Sequence, residues 1–485
     1  MNRLFGRIFF PLLRLALKPK KSGFLKQLSN VENSQNNVLA RVVRNLSKTE
    51  YGRHHEILPS DSYAQFANKI PLSTYDDLEP WIAKQRKTGQ RVLVNEPVLF
   101  YEKTSGSSGP AKHIPYTKSL KRAFSNMFAI WLCDLLDADL GFSTGKVFAS
   151  ISPQFRDARE GVKHDADYVS GVLNLLLKRF LVQPKNLHAL QDPIAFKTAV
   201  IDVMLKERDL EVISLWHPSF LEILLREMPA DWQKTWPKLK LISCWTSAHA
   251  ALTARQLREK FPSVLMQGKG LLATEAPMTI PLLEASGCVP LIGDVFFEFI
   301  DREQRIFRLH ELRLGAEYEI VLTQYAGLYR YRIGDMVRVT HFYMNAPCFD
   351  FVGRADAVSD LVGEKLHEEF VSTCLNAVFV DDIPRFCLLL PIIPARYWLI
   401  VEGAHDAQLL EKKIEHELLR GFHYRNARLL GQIAPAKCMP CPRARTIYFS
   451  YFERRGMLLG DIKQPALIHN QDDATRLFSE FAYRP

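Results

Sequence analysis

Two patterns of apolar and polar positions divide the chain. Between about residues 146 and 268, apolar runs (KVFASIS, LEVISLW, LKLISCW, SVLMQG) alternate with stretches whose apolar residues recur at helical spacing. From about residue 293, closely spaced short runs from DVFFEFI to CFDFVGR are typical of antiparallel strands. Strands that alternate with helices indicate an α/β fold with much parallel sheet, followed here by a β-rich subdomain.

The pattern changes again beyond Arg354. Helical segments such as EEFVSTCLNAVF and LLEKKIEHELLRGF are mixed there with strand-like runs such as RFCLLLPII and RYWLIVEG. This mixture predicts a small α+β domain with a boundary near residues 354–357. We therefore predict a basic amphipathic helix over 1–24, a large α/β domain over 25–354 and a small C-terminal domain over 355–485.

The N-terminal segment MNRLFGRIFFPLLRLALKPKK places its basic residues on one narrow helical face and apolar residues on much of the rest. Its apolar run is too short and too often interrupted for a membrane span, and it lacks the continuous apolar core of a signal peptide. Two interpretations stay open. The helix packs against the body, or residues 3–18 lie on an anionic membrane surface. We favour packing, because basic amphipathic faces are common on ordinary proteins.

Charge and cysteine content narrow the class of protein. The 485 residues contain 63 Lys and Arg against 53 Asp and Glu, and the net charge of +10 favours anionic partners. These basic residues are spread along the chain without a basic tract, which disfavours nucleic acid as a partner. Eight scattered cysteines are typical of reduced thiols. We predict a cytoplasmic protein, with the inner membrane surface as the alternative that the N-terminal helix leaves open.

One pair of cysteines has the spacing of half a zinc site. Cys438 and Cys441 are separated by two residues, but no second such pair or nearby Cys/His pair follows. We therefore favour two incidental cysteines over a metal or redox site.

The segment TSGSSGPAK, residues 104–112, follows an extended run (VLFYEK) and is followed by a predicted helix (KSLKRAFSNMFAIWLCDLL). Glycines let the backbone approach a ligand closely, and successive N–H groups, hydroxyls and Lys112 suit phosphate oxygens. The spacing is not that of a Walker A loop. Taken alone, such a segment is more often a flexible connection than a phosphate site.

Further motifs surround this loop: TEYGRHHEI, IPLSTYDDLEPWI, GLLATEAPMTIPL, YRYRIGDMV and FVGRADAVSDLVGEKLHEEFV. The loop itself resembles the T-S-G-[ST]-[ST]-G-x-x-K loop of the adenylate-forming superfamily. Together the motifs resemble the Gretchen Hagen three (GH3) family of acyl-acid amido synthetases, especially its bacterial members. The similarity extends over nearly the whole chain from about residue 25. It implies the adenylate-forming fold, with a mobile C-terminal domain.

The resemblance also implies a role for individual residues. It gives the phosphates of ATP to the loop, in which Ser105, Ser107, Ser108 and Lys112 hold the phosphates and Thr104 and Gly106 shape the turn. Farther along the chain it gives the α-phosphate to Thr274, Mg²⁺ to Glu275, the ribose hydroxyls to Asp335, the ribose and α-phosphate to Arg354, and charge neutralisation during catalysis to Lys463.

The residues alone leave other interpretations open. Thr274 and Glu275 could begin a helix, in which a first-turn glutamate is stabilised by the dipole. Asp335 follows a glycine and could belong to an ordinary turn. Arg354 could be a surface arginine, and the match around Lys463 is a short G-x-x-K that a solvated lysine would also satisfy.

The resulting hypothesis is an ATP-dependent ligase. It would activate a small carboxylic acid as an acyl-adenylate, release pyrophosphate, and pass the acyl group to an amine such as an amino acid. The first alternative is the same activation followed by thioester formation with CoA or a carrier protein. The second is an inactive nucleotide-binding scaffold. The acyl pocket is expected where strands end at Trp216-His217 and Cys244-Trp245.

Overall fold

The computed structural model describes residues 3–103, 112–149, 179–184, 193–216, 218–247, 250–355, 358–362, 364–380, 382–403, 405–429, 431–457 and 462–483. The chain divides into two compact units. The first contains Met1–Ser214, Met228–Ser243 and Ser263–Phe351, and the second contains Leu215–Glu227, Cys244–Pro262 and Val352–Pro485. The domain boundaries predicted at residues 24 and 354 stay a prediction.

Helices make up most of the first 140 residues of the first unit. Their apolar positions recur at helical spacing, and capping side chains mark several starts, for example Asn30, whose side chain accepts from the Asn33 amide. The helices are α1 (Arg3–Leu28), α2 (Val31–Leu46), α3 (Glu50–His54), α4 (Tyr63–Lys69), α5 (Tyr75–Thr88), α6 (Lys118–Asp137) and, later in the chain, α7 (Pro193–Lys206).

A four-stranded sheet is formed by the predicted alternating segments. Its strands are β3 (Lys146–Ala149), β4 (Leu210–Ser214), β5 (Leu241–Cys244) and β6 (Leu265–Gly268), in that spatial order. The pairs β3–β4 and β4–β5 are parallel, which confirms the α/β prediction. Leu241 and Ile242 are fully buried, as expected for a strand covered on both faces.

A seven-stranded sheet forms the β-rich part of this unit. Its strands are β7 (Thr279–Leu282), β8 (Gly287–Pro290), β9 (Phe296–Ile300), β10 (Ile306–Arg308), β11 (Glu317–Thr323), β12 (Tyr331–Tyr343) and β13 (Ala346–Arg354). Antiparallel pairing joins β9 to β10 and β11, and β11 to β12, as the later strand-like runs predict. It also joins β7 to β8 and β8 to β13. The main core includes buried aromatic residues such as Phe297 and Phe299.

A small hairpin precedes α6. Strands β1 (Val98–Lys103) and β2 (His113–Thr117) pair antiparallel, with Lys103 opposite His113. The glycine-serine loop therefore connects two strands, and the predicted helix KSLKRAFSNMFAIWLCDLL begins after β2, at Lys118. Within β2, Ile114 and Tyr116 are both fully buried. Thr117 then caps α6 by accepting from the Leu120 amide.

The N-terminal helix α1 packs on the first unit along α6. Lys21 is buried, and its ammonium lies 2.8 Å from Asp137, 3.0 Å from Asp134 and 2.8 Å from Glu284. Arg14 reaches Asp137 at 2.6 Å. Burial opposes ionisation of Asp137, but its hydrogen bonds from Lys21 and Arg14 still hold the pKa of that carboxyl below its usual value. The favoured interpretation of a packed helix is thus the arrangement that the structure has.

The second unit has an α+β composition. It contains a three-stranded sheet of β16 (Phe386–Ile392), β17 (Arg396–Glu402) and β18 (Lys437–Pro440), in which β16–β17 is antiparallel and β17–β18 parallel. The short strands β14 (Val358–Ser359) and β15 (Leu366–His367) pair with each other. Its helices are α8 (Pro218–Glu227), α9 (Ala251–Lys260), α10 (Glu368–Val378), α11 (Ala407–Leu418), α12 (Phe422–Leu429), α13 (Ala444–Arg454) and α14 (Gln471–Tyr483).

Helices α8 and α9 belong to this unit through a buried ion pair. Glu222 of α8 lies 2.7 Å from Arg445 of α13 and 3.0 Å from Lys260 of α9. Burial opposes ionisation of Glu222, but these two cations still hold its pKa below the usual value. Breaking such a pair would leave a charge in the protein interior, so the contact fixes these helices against α13.

The paired cysteines lie in this unit too. Cys438 is on β18, and Cys441 follows it and donates its backbone N–H to Val401. Burial raises the pKa of the Cys438 thiol to about 12. Both side chains are therefore buried thiols at the edge of a strand.

Candidate functional site

The glycine-serine loop lies outside the described residues as far as Ala111, so Thr104, Ser105, Gly106, Ser107 and Ser108 have no described position. Lys112 is described and precedes β2. Its ammonium lies 3.5 Å from the hydroxyl of Tyr331 and 5.6 Å from the ring centroid of Tyr75. Burial raises the pKa of Tyr75, whose hydroxyl accepts a 2.7 Å hydrogen bond from the backbone N–H of His113.

Thr274 and Glu275 lie in a tight bend. Leu272 and Pro277 form an antiparallel bridge on either side of it, and the Ala273 N–H donates to Ala276. The alternative that a helix begins at Thr274 is therefore wrong. Two side chains hold the backbone carbonyls of the bend. Tyr116 donates to the Thr274 carbonyl at 2.8 Å, and Gln324 donates to the Glu275 carbonyl at 3.2 Å.

Asp335 lies inside β12, at a bulge. In the β11–β12 ladder Glu319 faces Met336 and Val321 faces Arg332, so the three residues 333–335 oppose Ile320 alone. Gly334 has a φ of +82°, a conformation that favours glycine. The alternative of a turn after the strand is wrong, since the strand continues to Tyr343. Bulges are common beside active sites because they redirect a side chain, and Asp335 is half-buried here.

Strand β2 brings these three segments together. Lys112, just before it, contacts Tyr331 at the start of β12, and Tyr116 near its end contacts the bend at Thr274. Lys112 and Tyr116 are four positions apart in extended chain, so their Cα atoms lie about 13 Å apart, a distance that a bound nucleotide can bridge. The first unit thus places Lys112, the Thr274–Glu275 bend and the strand that carries Asp335 around one short hairpin strand.

A buried ion pair fixes the start of β12. Arg330 donates to both carboxylate oxygens of Glu298, at 2.8–3.2 Å, and also to the backbone carbonyls of Ala67 and Ile70. The side chains of Arg330 and Glu298 are 5% and 1% exposed, and the hydroxyl of Tyr63 donates to the Glu298 carboxylate. Arg330 has a φ of +46°, which is uncommon for a residue other than glycine. This network sets the position of Tyr331 and was missed by sequence reasoning.

Arg354 and Lys463 belong to the second unit. Arg354 is the exposed last residue of β13. Lys463 is exposed as well, and its ammonium lies 5.1 Å from the ring centroid of Trp245. Trp245 and Trp216 follow adjacent parallel strands, with ring centroids 6.0 Å apart, where the sequence predicts an acyl pocket. His217, Asp356 and Gly363 lie outside the described residues.

The bend that contains Thr274 and Glu275 suits a hard cation that takes most of its ligands from a bound nucleotide and water. In the described part of the chain, no group of three or more His, Cys, Asp or Glu side chains could hold a metal ion alone. A magnesium ion bound to a nucleotide needs only one or two protein carboxylates, because phosphates and water complete its octahedron. Glu275, 8% exposed beside the hairpin, fits that requirement.

Several contacting residues could not be assigned a role from sequence. Tyr331 lies within the quoted motif YRYRIGDMV, which was a signal, but the contact that its hydroxyl makes depends on a partner 219 positions away. Tyr116 gave only an alternating apolar pattern.

Among the described helices, none has both the length and the apolar character that crossing a membrane requires.

Two family models match the chain. The GH3 family N-terminal domain matches residues 20–233, and the GH3 family central domain matches residues 288–354. Among curated relatives, the probable indole-3-acetic acid-amido synthetase GH3.1 of Arabidopsis thaliana is 24% identical, covering 71% of this chain and 70% of that protein. The 4-substituted benzoates-glutamate ligase GH3.12 of the same organism is 45% identical over 78 residues, which are 15% of this chain and 14% of that protein.

Solved structures share the fold. The acyl acid amido synthetase AtGH3.15 in complex with 2,4-DB superposes with a TM-score of 0.82 at 19% identity, covering 96% of both chains. A 2-hydroxyisobutyryl-CoA ligase in the postadenylation state superposes with a TM-score of 0.60 at 14% identity, covering 93% of this chain and 91% of that one.

The fold is therefore one that an acyl acid amido synthetase and a CoA ligase share with this chain. The two family models together match more than half of the chain, in the order expected. The chain belongs to the GH3 family, as its motifs predict, and the curated relatives compared above are named as amido synthetase or ligase.

Proposed function

We propose that this protein activates a small carboxylic acid with ATP and transfers the acyl group to an amine, an amino acid above all, to form an amide. The observation that carries the proposal is the convergence on β2 of Lys112, the Thr274–Glu275 bend and the strand of Asp335. A carboxylate is a poor acyl donor because its leaving group is poor, whereas AMP leaves readily from an acyl-adenylate.

In this proposal the residues around β2 bind the nucleotide. The loop residues and Lys112 would hold the phosphates, and Thr274 would contact the α-phosphate. Support comes from Lys112, whose position beside two tyrosine rings limits where its charge can go. Arranging fixed positive charge and donors around a reacting phosphate is the main source of catalysis in reactions of this type. ATP supplies the adenylyl group that activates the acid.

Glu275 would hold Mg²⁺ and Asp335 the ribose. One carboxylate in a fixed bend suits an ion that takes its other ligands from phosphate and water. An ionised carboxylate can accept hydrogen bonds from two neighbouring hydroxyls, and the bulge at Gly334 gives Asp335 a direction that a regular strand would not.

Arg354 and Lys463 would act in catalysis by neutralising negative charge. Both side chains are exposed cations of the second unit. Positive charge near the α-phosphate stabilises the charge that develops as pyrophosphate departs. We propose these roles from the resemblance of their surrounding motifs.

The acceptor is proposed from the relatives. GH3.1 is named as an amido synthetase and GH3.12 as a glutamate ligase, so both names describe conjugation of an acid to an amine. The CoA ligase of similar fold makes thioester formation the alternative product. Closer kinship with bacterial members of the family stays a prediction.

A panel of carboxylic acids tests the first half-reaction. The full chain is incubated with ATP, Mg²⁺, hydroxylamine and one acid at a time, and hydroxamate is measured together with pyrophosphate. We expect acid-dependent formation of both, because hydroxylamine captures an acyl-adenylate without requiring the natural acceptor. Nucleotide binding without acid-dependent pyrophosphate release would instead identify an inactive scaffold.

The accepted acid is then used to identify the second substrate. Parallel incubations with amino acids and with CoA are examined by mass spectrometry. An amide product supports the proposal, and a CoA thioester formed without any amide contradicts it.

Asp335→Ala is expected to raise the KM for ATP by about ten- to a hundredfold, the range for losing hydrogen bonds to a charged group. The effect should disappear with 2′,3′-dideoxy-ATP, since that nucleotide lacks the hydroxyls. Initial rates of pyrophosphate release against nucleotide concentration give both values.

Asp350→Ala is the matched control, because Asp350 is an exposed aspartate on the adjacent strand β13. It should leave both KM values unchanged. If Asp335→Ala and the wild-type chain show the same preference for ATP over the dideoxy nucleotide, the ribose assignment is wrong.

We also propose that the outer face of α1 contacts an anionic membrane surface. Ile8, Leu12 and Leu15 recur at helical spacing and are 60–67% exposed, although the opposite face packs on α6. The exposed lysines Lys18 and Lys26 complement anionic headgroups. This apolar stripe beside positive charge supports a peripheral contact.

Vesicle sedimentation tests this contact. The wild-type chain should sediment with vesicles that contain phosphatidylserine and remain in the supernatant with phosphatidylcholine alone. Replacing Leu12 and Leu15 by Ser should abolish sedimentation, whereas Leu314→Ser, at a position 65% exposed elsewhere in the first unit, should not. Equal sedimentation of all three proteins would contradict the proposal.

A further inference from the structure

The segment that carries Lys463 is fixed to the second unit by its backbone and its neighbouring side chain. Tyr448, fully buried in α13, donates to the Lys463 carbonyl at 2.7 Å. The side-chain amide of Gln464 donates to the Cys387 carbonyl at 3.4 Å, and the backbone N–H of Leu389 donates to the Ala466 carbonyl at 2.9 Å. The Cα of Lys463 therefore has a defined position beside β16, while its side chain is exposed.

The ammonium of Lys463 lies over an aromatic ring. It is 5.1 Å from the ring centroid of Trp245, within the range of a cation–π contact, and tryptophan provides the strongest of these. Trp245 is itself held in place, since its backbone N–H donates to the Trp216 carbonyl at 2.9 Å and the two indoles lie 6.0 Å apart. A rigid aromatic surface thus faces a flexible lysine.

We propose that Trp245 is a positioning residue for Lys463. A free lysine side chain loses rotamer entropy when it is fixed. The indole restricts the ammonium before it meets a phosphate, so less of that entropy is lost in the transition state. The inference rests on the catalytic role proposed above for Lys463, and assigns Trp245 no contact with substrate.

The test compares four variants of the full chain in acid-dependent pyrophosphate release. Trp245→Leu should lower kcat by about 2- to 5-fold, the factor that corresponds to a cation–π contact at an exposed site, with the acid's KM unchanged. Trp245→Tyr should restore most of the rate, since it keeps an aromatic face. Lys463→Ala should lower kcat further, and adding Trp245→Leu to it should cause no additional loss.

A matched control removes a similar contact elsewhere in the second unit. Phe422→Leu takes away the ring over which Arg425 lies, at 5.9 Å, and should leave kcat unchanged. If the losses from Trp245→Leu and Lys463→Ala multiply, the two residues act independently and the inference is wrong. It is also wrong if Trp245→Leu raises only the acid's KM, because Trp245 is then a wall of the acyl pocket.

A readout without catalysis separates this inference from the proposed function. The fluorescence emission of Trp245 is obtained by subtracting the spectrum of Trp245→Tyr from that of the wild type, and the same subtraction is made in the Lys463→Met background. The emission maximum of Trp245 should differ between the two backgrounds, because Lys463→Met removes the field of a cation above the indole. A wild-type chain that forms no hydroxamate with any acid contradicts the proposed function. An unchanged emission overturns the inference alone, whereas full pyrophosphate release by Lys463→Ala overturns both the inference and the catalytic role proposed for Lys463.

Discussion

Glu275→Ala is expected to lower acid-dependent pyrophosphate release by at least about a hundredfold, as loss of a group that stabilises transition-state charge does. The carboxylate is 8% exposed and lies in a bend whose carbonyls are held by Tyr116 and Gln324. Because those contacts involve the backbone, the variant should keep the bend while it loses the carboxylate that is proposed to hold magnesium. Release of pyrophosphate at saturating ATP and acid measures the effect.

Glu275→Gln is the matched variant for charge. It keeps the size of the side chain and can still coordinate through one oxygen. We therefore expect it to lower pyrophosphate release less than Glu275→Ala does, and high Mg²⁺ should restore part of the rate. Circular dichroism and the midpoint of urea unfolding should be close to wild type for both variants. Release at the wild-type rate by Glu275→Ala would show that magnesium is held elsewhere.

The alternation of strands and helices was sufficient to predict the class of fold. Strands β3 to β6 and β9 to β13 coincide with apolar runs, because in these segments the local pattern and the burial agree. Strands β7 and β8 were not predicted. Each has four residues, and Pro281 interrupts the apolar pattern of β7, which is tolerated because β7 is at the edge of the sheet.

Residues of the candidate site could be assigned from the sequence only where a motif carried them. The loop, the Thr274–Glu275 pair and Asp335 were found by resemblance, yet the bend and the bulge that present them contradicted the local alternatives of a helix start and a turn. Both features depend on pairing with distant strands, and register of that kind is set by tertiary packing. The contact of Trp245 with Lys463 joins residues more than 200 positions apart, so no local pattern indicates it.

Glu298→Ala is expected to lower the free energy of unfolding by about 3–5 kcal/mol, the cost of removing one partner of a buried ion pair. Arg330 would keep its hydrogen bonds to Ala67 and Ile70 but would carry an uncompensated charge at a site where its side chain is 5% exposed. The midpoint of urea unfolding, followed by circular dichroism, measures the change.

Glu317→Ala provides the matched control on the adjacent strand. Glu317 pairs with Arg338 at 2.5 Å and Arg302 at 2.6 Å, but these arginine side chains are 45% and 73% exposed, so the loss should stay below about 1 kcal/mol. Equal losses in the two variants would mean that burial does not set the value of the Glu298–Arg330 pair. A large loss for Glu298→Ala alone would instead show that the start of β12, which carries Tyr331 and the bulge at Asp335, is held by a charge pair that the core cannot replace.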